Sequence, residues 1–290
     1  MSPFIVLYYQ DLGFTGTQIG LLTGVTPLVT FFSAPLWTGF ADATGRHRLL
    51  MSLAILGGVI TLLVYPMLGT FVPVLLIAVL LNVFLGPITP FADSATMSML
   101  ADEKEMYGRI RLGGTIGYGL LALVTGVLVQ NHGLKIAFGG CAILFILGFI
   151  VSQKLVYGKL NAGDPIKGDL HALLVNPRWL LFLVLAFTGG MALASFNNYL
   201  FSYMRELGAN ESMMGLAIVV GMLSEIPALF FGNRLIKRFK PYGLLMLSMA
   251  VTGLRSLLLA ASVNSGLILV IQLINGLTIP SLLMAGVSYA

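Results

Sequence analysis

The chain has 290 residues, of which 58% are hydrophobic and 9% charged, with a net charge of +5. A soluble domain carries roughly 25% charged residues, so this composition excludes a water-soluble globular enzyme and leaves a polytopic helical membrane protein. Cys141 is the single cysteine, which excludes an intramolecular disulfide and a cysteine-rich metal site.

Apolar runs near the ~20 residues that a bilayer requires predict helices over 1–9 (partial), 16–40, 49–69, 71–98, 109–130, 135–155, 178–203, 210–232, 242–262 and 265–290. Tyr9 closes the first of these, and at ~1.5 Å per residue its eight predecessors reach less than half of a ~30 Å core. A chain lacking part of its first helix and the last two helices of its second half is expected. Between 157 and 177 lies the one long polar stretch, with Gly158, Gly163, Asp164, Pro165 and Gly168. It predicts a cytoplasmic linker between an N-terminal half, 1–156, and a C-terminal half, 178–290.

The two halves repeat. Tyr8-Tyr9-Gln10-Asp11-Leu12-Gly13, followed by Gly20-Leu21, returns 195 residues later as Tyr203-Met204-Arg205-Glu206-Leu207-Gly208, followed by Gly215-Leu216. A long-period repeat in so apolar a chain marks a transporter built from two similar halves. The cations sort by side. Arg46, Arg48, Lys104, Arg109, Arg111, Lys154, Lys159, Lys167, Arg178, Arg234, Lys237, Arg238 and Lys240 fall on one side, Lys135 and Arg205 on the other, and Arg255 inside a helix. The positive-inside rule makes the first side cytoplasmic, and the N-terminus with it. It also explains the net positive charge without nucleic acid.

Three constellations carry chemistry. The first is the loop Gly39-Phe40-Ala41-Asp42-Ala43-Thr44-Gly45-Arg46-His47-Arg48. Gly45 permits a tight turn, Asp42 can pair with a neighbouring helix end or base, and Arg46 and Arg48 hold the inner face. A generic basic turn has the same ingredients. The loop resembles the signature of the major facilitator superfamily, although Thr38 replaces the family's Gly and Ala43 its usual base. The resemblance implies that Asp42, Gly45, Arg46 and Arg48 gate conformational change.

The second constellation is Asp93 with Gly108-Arg109-Ile110-Arg111, then Gly113, Gly114, Gly117 and Tyr118. Small residues at this spacing let helices approach closely. The spacing of acid, Arg pair and aromatic is similar to the lactose permease family. That resemblance implies a solute-binding pair in Asp93 and Arg111, with Tyr118 as a platform. Ordinary inner-leaflet anchors and a helix-end cap would also fit these residues.

The third is Glu225 in Ser224-Glu225-Ile226-Pro227, with Arg255 in the next helix as its natural partner. An unpaired ionisable residue at this depth costs several kcal/mol, which makes it a functional candidate for proton carriage. A static ion pair is the other reading. The same run resembles the phenylpropionate permease group, over almost the whole chain. One departure stands out: Asn275 and Thr278 occupy positions where the lactose permease family has a titrating His and Glu. Asn197 and Asn198 are either solute contacts near the outer gate or interhelical glue; Gln272 and Asn275 are similar but weaker.

No Gly-rich phosphate loop, nucleophile set or His/Glu metal spacing occurs, so neither an enzyme nor a cofactor is expected. The expected fold is all-α, a polytopic major facilitator fold of two six-helix halves, the second incomplete. The expected function is secondary active transport of a small organic solute by proton symport, in a monomer in a bacterial inner membrane. An exporter of the same fold and a non-transporting solute receptor are the alternatives.

Overall fold

The computed structural model describes residues 4–100, 106–157, 175 and 177–278, all helix, turn or coil, with no strand among the described residues. The side chains of Arg109 and Arg111 lie outside this description, as do Lys104 and nearly all of the 157–177 linker.

The helices are α1 (Ile5–Asp11), α2 (Gly16–Thr44), α3 (His47–Val64), α4 (Phe71–Leu85), α5 (Ile88–Leu100), α6 (Tyr107–His132), α7 (Ile136–Ser152), α8 (Pro177–Glu206), α9 (Glu211–Phe230), α10 (Gly232–Ala260) and α11 (Ser265–Ile271). A 3-10 segment, Gln272–Leu277, follows α11. Among the described residues six spans are long and apolar enough to cross a membrane: Gly16–Thr44, His47–Met67, Phe71–Leu100, Leu112–His132, Glu211–Ala228 and Tyr242–Ala260. Their outward faces are apolar, with Phe31, Leu36, Ile60 and Leu257 all exposed, as lipid contact requires.

Two expected boundaries move. The 71–98 helix is two helices, because Gly86-Pro87 interrupts it and Pro87 has no N–H to continue the ladder. The 233–241 loop is largely helical, and α10 runs through it with one break at Lys240 (φ 57, ψ 161). The C-terminal run expected over 265–290 is α-helical only to Ile271, changes to 3-10 winding through Leu277, and beyond Thr278 lies outside the described residues.

The chain forms two compact units, Met1–Arg111 with Asn131–Gly163, and Leu112–Gln130 with Asp164–Ala290. The second therefore includes most of α6, which the sequence division had assigned to the first half.

In the first unit α3 packs along α7 and against α4. At one end Phe138 stacks on Tyr65 at 5.0 Å and meets Tyr8 edge-on at 4.9 Å. The Tyr9 and Tyr65 hydroxyls bond each other. At the other end Ala41, Leu50, Met51, Ile55 and Phe91 form a buried cluster flanked by Trp37, Phe145 and Phe149.

In the second unit α6 and α9 meet backbone to backbone. A Cβ on Gly215 would lie 2.8 Å from the Ala122 carbonyl, and one on Gly126 would lie 2.6 Å from the Glu211 carbonyl. Only glycine permits such an approach. The 3-10 segment sits equally close to α9, where a Cβ on Gly276 would collide with the Ser224 carbonyl.

The repeat is visible in the backbone. Gly13 and Gly208 share a positive φ (76° and 78°), and Gly45 and Lys240, also 195 apart, share another (66° and 57°). Thr15 caps α2 by accepting from the Gln18 N–H, and Asn210 caps α9 by accepting from the Met213 N–H. A side-chain oxygen at this position satisfies an otherwise orphaned helix N–H.

Candidate functional site

The polar interior of the second unit is assembled from α9, α10 and the 3-10 segment. Arg255, on α10, is 2% exposed. It does not contact Glu225 directly. One terminal nitrogen, Nη1, donates to Asn275 Oδ1 at 2.7 Å, and the other, Nη2, donates to Gln272 Oε1 at 2.6 Å. Asn275 Nδ2 in turn donates to Glu225 Oε1 at 2.7 Å. The expected Glu225–Arg255 pair is thus a three-membered chain with an amide in the middle.

The chain is held from behind. Ser224 Oγ accepts from the Gly276 N–H at 2.9 Å and directs its one proton between the Gly221 carbonyl at 2.6 Å and the Gln272 carbonyl at 3.2 Å. Thr278 Oγ1 donates to the Asn275 carbonyl at 2.6 Å. Gln272 Nε2 reaches the Ala217 carbonyl at 3.4 Å. These contacts fix the two amides, so their oxygens face Arg255. The Phe196 ring lies 5.3 Å from the guanidinium carbon, within cation–π range. Arg255 Nε has no hydrogen-bond partner among the described residues. Tyr118 lies within electrostatic reach of Glu225.

Beside this network is a cavity of about 400 Å3, lined by Ser195, Phe196 and Tyr199 of α8 and by Ser256 and Leu259 of α10. Asn197 and Asn198 do not line it; Asn197 is exposed and Asn198 half-buried.

The first unit arranges its polar groups differently. Thr30 Oγ1 approaches Asn82 Oδ1 at 3.3 Å, and Ser33 Oγ donates to the Asn82 carbonyl at 3.4 Å. Asp93 is half-buried on α5. The side chain of Arg111, its expected partner, lies outside the described residues.

The turn after α2 pairs Asp42 with His47, Nε2 to Oδ1 at 2.8 Å. Gly45 closes α2 in the left-handed conformation, its N–H donating to the Ala41 carbonyl at 2.8 Å. Arg46 precedes α3 as its N-cap residue. Arg48 Nη2 donates to the Leu155 carbonyl at 3.0 Å, tying α3 to the end of α7. The His47 ring stacks on Tyr157 at 5.4 Å. Burial pushes the Tyr157 phenol above its ordinary range, and Arg48 opposes that shift. The sequence pointed to Asp42 but gave His47 no role; a histidine five residues past an acid, across a Gly turn, was the available signal.

No group of three or more His, Cys, Asp or Glu side chains that could hold a metal occurs among the described residues.

The whole chain, residues 1–290, matches the MFS_1 like family. It is 27% identical over 291 residues to YwbF of Bacillus subtilis (strain 168), described as an uncharacterized transporter, covering 99% of this chain and 72% of that protein. To the maltose permease of Geobacillus stearothermophilus it is 25% identical over 292 residues, covering 100% of this chain and 74% of the relative. Its fold superimposes on the crystal structure of a D323A mutant of the nucleoside transporter NupG with a TM-score of 0.83 at 17% identity, over 99% of this chain and 77% of NupG. The chain belongs to the MFS_1 like family of the major facilitator superfamily, as an integral, multi-pass membrane transporter.

Proposed function

We propose that this family member carries a small organic solute by proton symport and alternating access, in a bacterial inner membrane with its N-terminus in the cytoplasm. The observation that carries the reading is the Glu225–Asn275–Arg255 chain. Burying ionisable groups among membrane helices is expensive, and such groups mark proton or ion pathways. The equivalent of Glu225 in the first repeat, 195 residues earlier, is Thr30, and it approaches an asparagine without any charge. Helix contact at this place therefore needs no ion pair, and the charges of the second copy serve another purpose.

Ionised Glu225 holds Asn275, and Asn275 holds Arg255. Protonation removes the negative end of that chain. Asn275 then loses its charge-assisted acceptor, a bond of the stronger class, and Arg255 loses the countercharge reaching it through the amide. Solute binding that favours the protonated arrangement is thereby linked to proton uptake. Asp93, Arg111, Tyr118, Asn197 and Asn198 are proposed as solute contacts, and Asp42, Gly45, Arg46 and Arg48 as the gate. A charge-balanced network favours a neutral, hydroxylated solute over an anion. The names of the relatives, a maltose permease and a nucleoside transporter, support that class.

The test is proton movement on solute addition to vesicles containing the full-length protein, with maltose, nucleosides and phenylpropionate as solutes. Alkalinisation of the medium with one solute, lost in Glu225→Gln while solute exchange persists, is the expected result. Acidification would instead mark an exporter working by antiport. Binding without proton movement in the wild type would overturn the coupling.

A further inference from the structure

The cytoplasmic turn occurs twice, and only the first copy uses its charges internally. There Asp42 is paired with His47 and Arg48 is tied to the Leu155 carbonyl. In the second copy Asp42 is replaced by Lys237, Gly45 by Lys240 and His47 by Tyr242, and no Asp or Glu occurs between Glu225 and Ala290. Arg234, Arg238 and Lys240 are exposed, and none is in an ion pair with a described residue.

Exposed rings accompany these cations. Phe230 is 74% exposed, and Phe231, Phe239 and Tyr242 are exposed beside it. Arg234 lies over Phe231 at 5.4 Å and Arg238 over Phe239 at 5.8 Å. Lys240 has a positive φ (57°) at the position matching Gly45, with ψ 161° where Gly45 has 14°, and it is the only non-glycine residue with positive φ among the described residues. A lysine kept where glycine would be unstrained is a second sign that its charge is needed. Rings beside unpaired cations next to a membrane span match the headgroup boundary, where aromatics seat at the interface and Lys or Arg meets phosphate.

We infer that Phe230 to Tyr242 forms a binding site for an anionic phospholipid headgroup, its phosphate held by Arg234, Arg238 and Lys240 and its acyl boundary met by Phe231 and Phe239. The site depends on the membrane placement of the chain and not on its solute or coupling ion. It leaves α10 pinned to the bilayer surface at the break where its two parts meet.

The full-length protein in nanodiscs of phosphatidylcholine with about one-fifth phosphatidylglycerol provides the test, with bound lipid read by native mass spectrometry. Both leaflets are accessible there, so the result is independent of sidedness and of transport. Wild type is expected to retain phosphatidylglycerol selectively. Arg234→Gln, Arg238→Gln and Lys240→Gln should each lower that selectivity about fivefold, and the triple variant about a hundredfold. Lys240→Arg should retain it, and Lys154→Gln, at another basic end, should change it less than about twofold.

Unchanged selectivity in the triple variant would overturn the site. So would an equal loss from Lys154→Gln, which would reveal diffuse surface charge, or displacement of the lipid by millimolar inorganic phosphate, which would reveal a free-anion site. Retention of a soluble acidic protein in place of lipid would overturn it too. If the triple variant misfolds, Lys240→Gly decides, because it removes one charge while relieving the backbone.

Discussion

Thr30 faces Asn82 in the first unit, and Glu225, 195 residues further on, faces Asn275 in the second. The first is a hydroxyl against an amide. The second is a carboxylate against an amide that also holds a buried arginine. At the place of Arg255 the first unit has Ile60, exposed on the apolar surface. Thr30 against Glu225 and Ile60 against Arg255 thus compare a place without charge with one that has it, although Asn82 sits in α-helix and Asn275, two residues out of register with it, in 3-10 winding.

Arg255→Ile alone tests this most severely. It leaves Glu225 and two oriented amides without their cation and should cost about 3–5 kcal/mol of stability, the range for breaking a buried pair. Adding Glu225→Thr, which copies the first unit, should restore most of that loss while abolishing proton-linked transport; thermal unfolding in detergent and proton uptake would report the two effects. If the double variant is no more stable than Arg255→Ile, the charges are structural and the comparison fails.

A smaller effect is expected at the glycines packed against the two contacts. Gly276→Ala drives a methyl into the Ser224 carbonyl, and overpacking of this kind should cost about 1–3 kcal/mol. Gly86→Ala meets the Ser33 hydroxyl first, a group that can rotate, so its cost should be the lesser of the two in the same unfolding assay.

Smaller again are the turns. Lys240→Gly should stabilise by about 1 kcal/mol by relieving a lysine held at positive φ with extended ψ, whereas Gly45→Ala at the matching position should destabilise by about as much. His47→Gln, which removes the ring nitrogen that bonds the exposed Asp42, should cost below about 1 kcal/mol. A larger loss would mean that the stack on Tyr157, and not the bond to Asp42, secures this turn.

Much of this architecture was legible from residue order. The repeat, the spans and the nearness of Glu225 and Arg255 follow from rare charges in apolar runs and from paired glycines at a fixed offset. The role of Asn275 was not legible, because an amide carries no charge signal and its partner set depends on how three elements converge. Gln272 and Asn275 stood out only as weak solute contacts or interhelical glue, and their clasp on Arg255 was illegible for the same reason. The break at Gly86-Pro87 was available in the sequence but hidden by uninterrupted hydrophobicity on both sides. The helix before Lys240 was obscured by its many basic residues, which resemble a loop when counted by hydropathy alone.

The 3-10 winding of Gln272–Leu277 has a mechanical consequence. In that winding side chains three apart eclipse one another, so Gln272 and Asn275 stand in one row and clasp both terminal nitrogens of Arg255. Relaxed to α-helical pitch, the same six residues would be shorter by about 3 Å, and Asn275 would turn about 60° out of line with Gln272. The two turns of tight winding therefore act as the jaw of a clamp: at α-helical pitch the two amides would no longer meet both terminal nitrogens of the arginine.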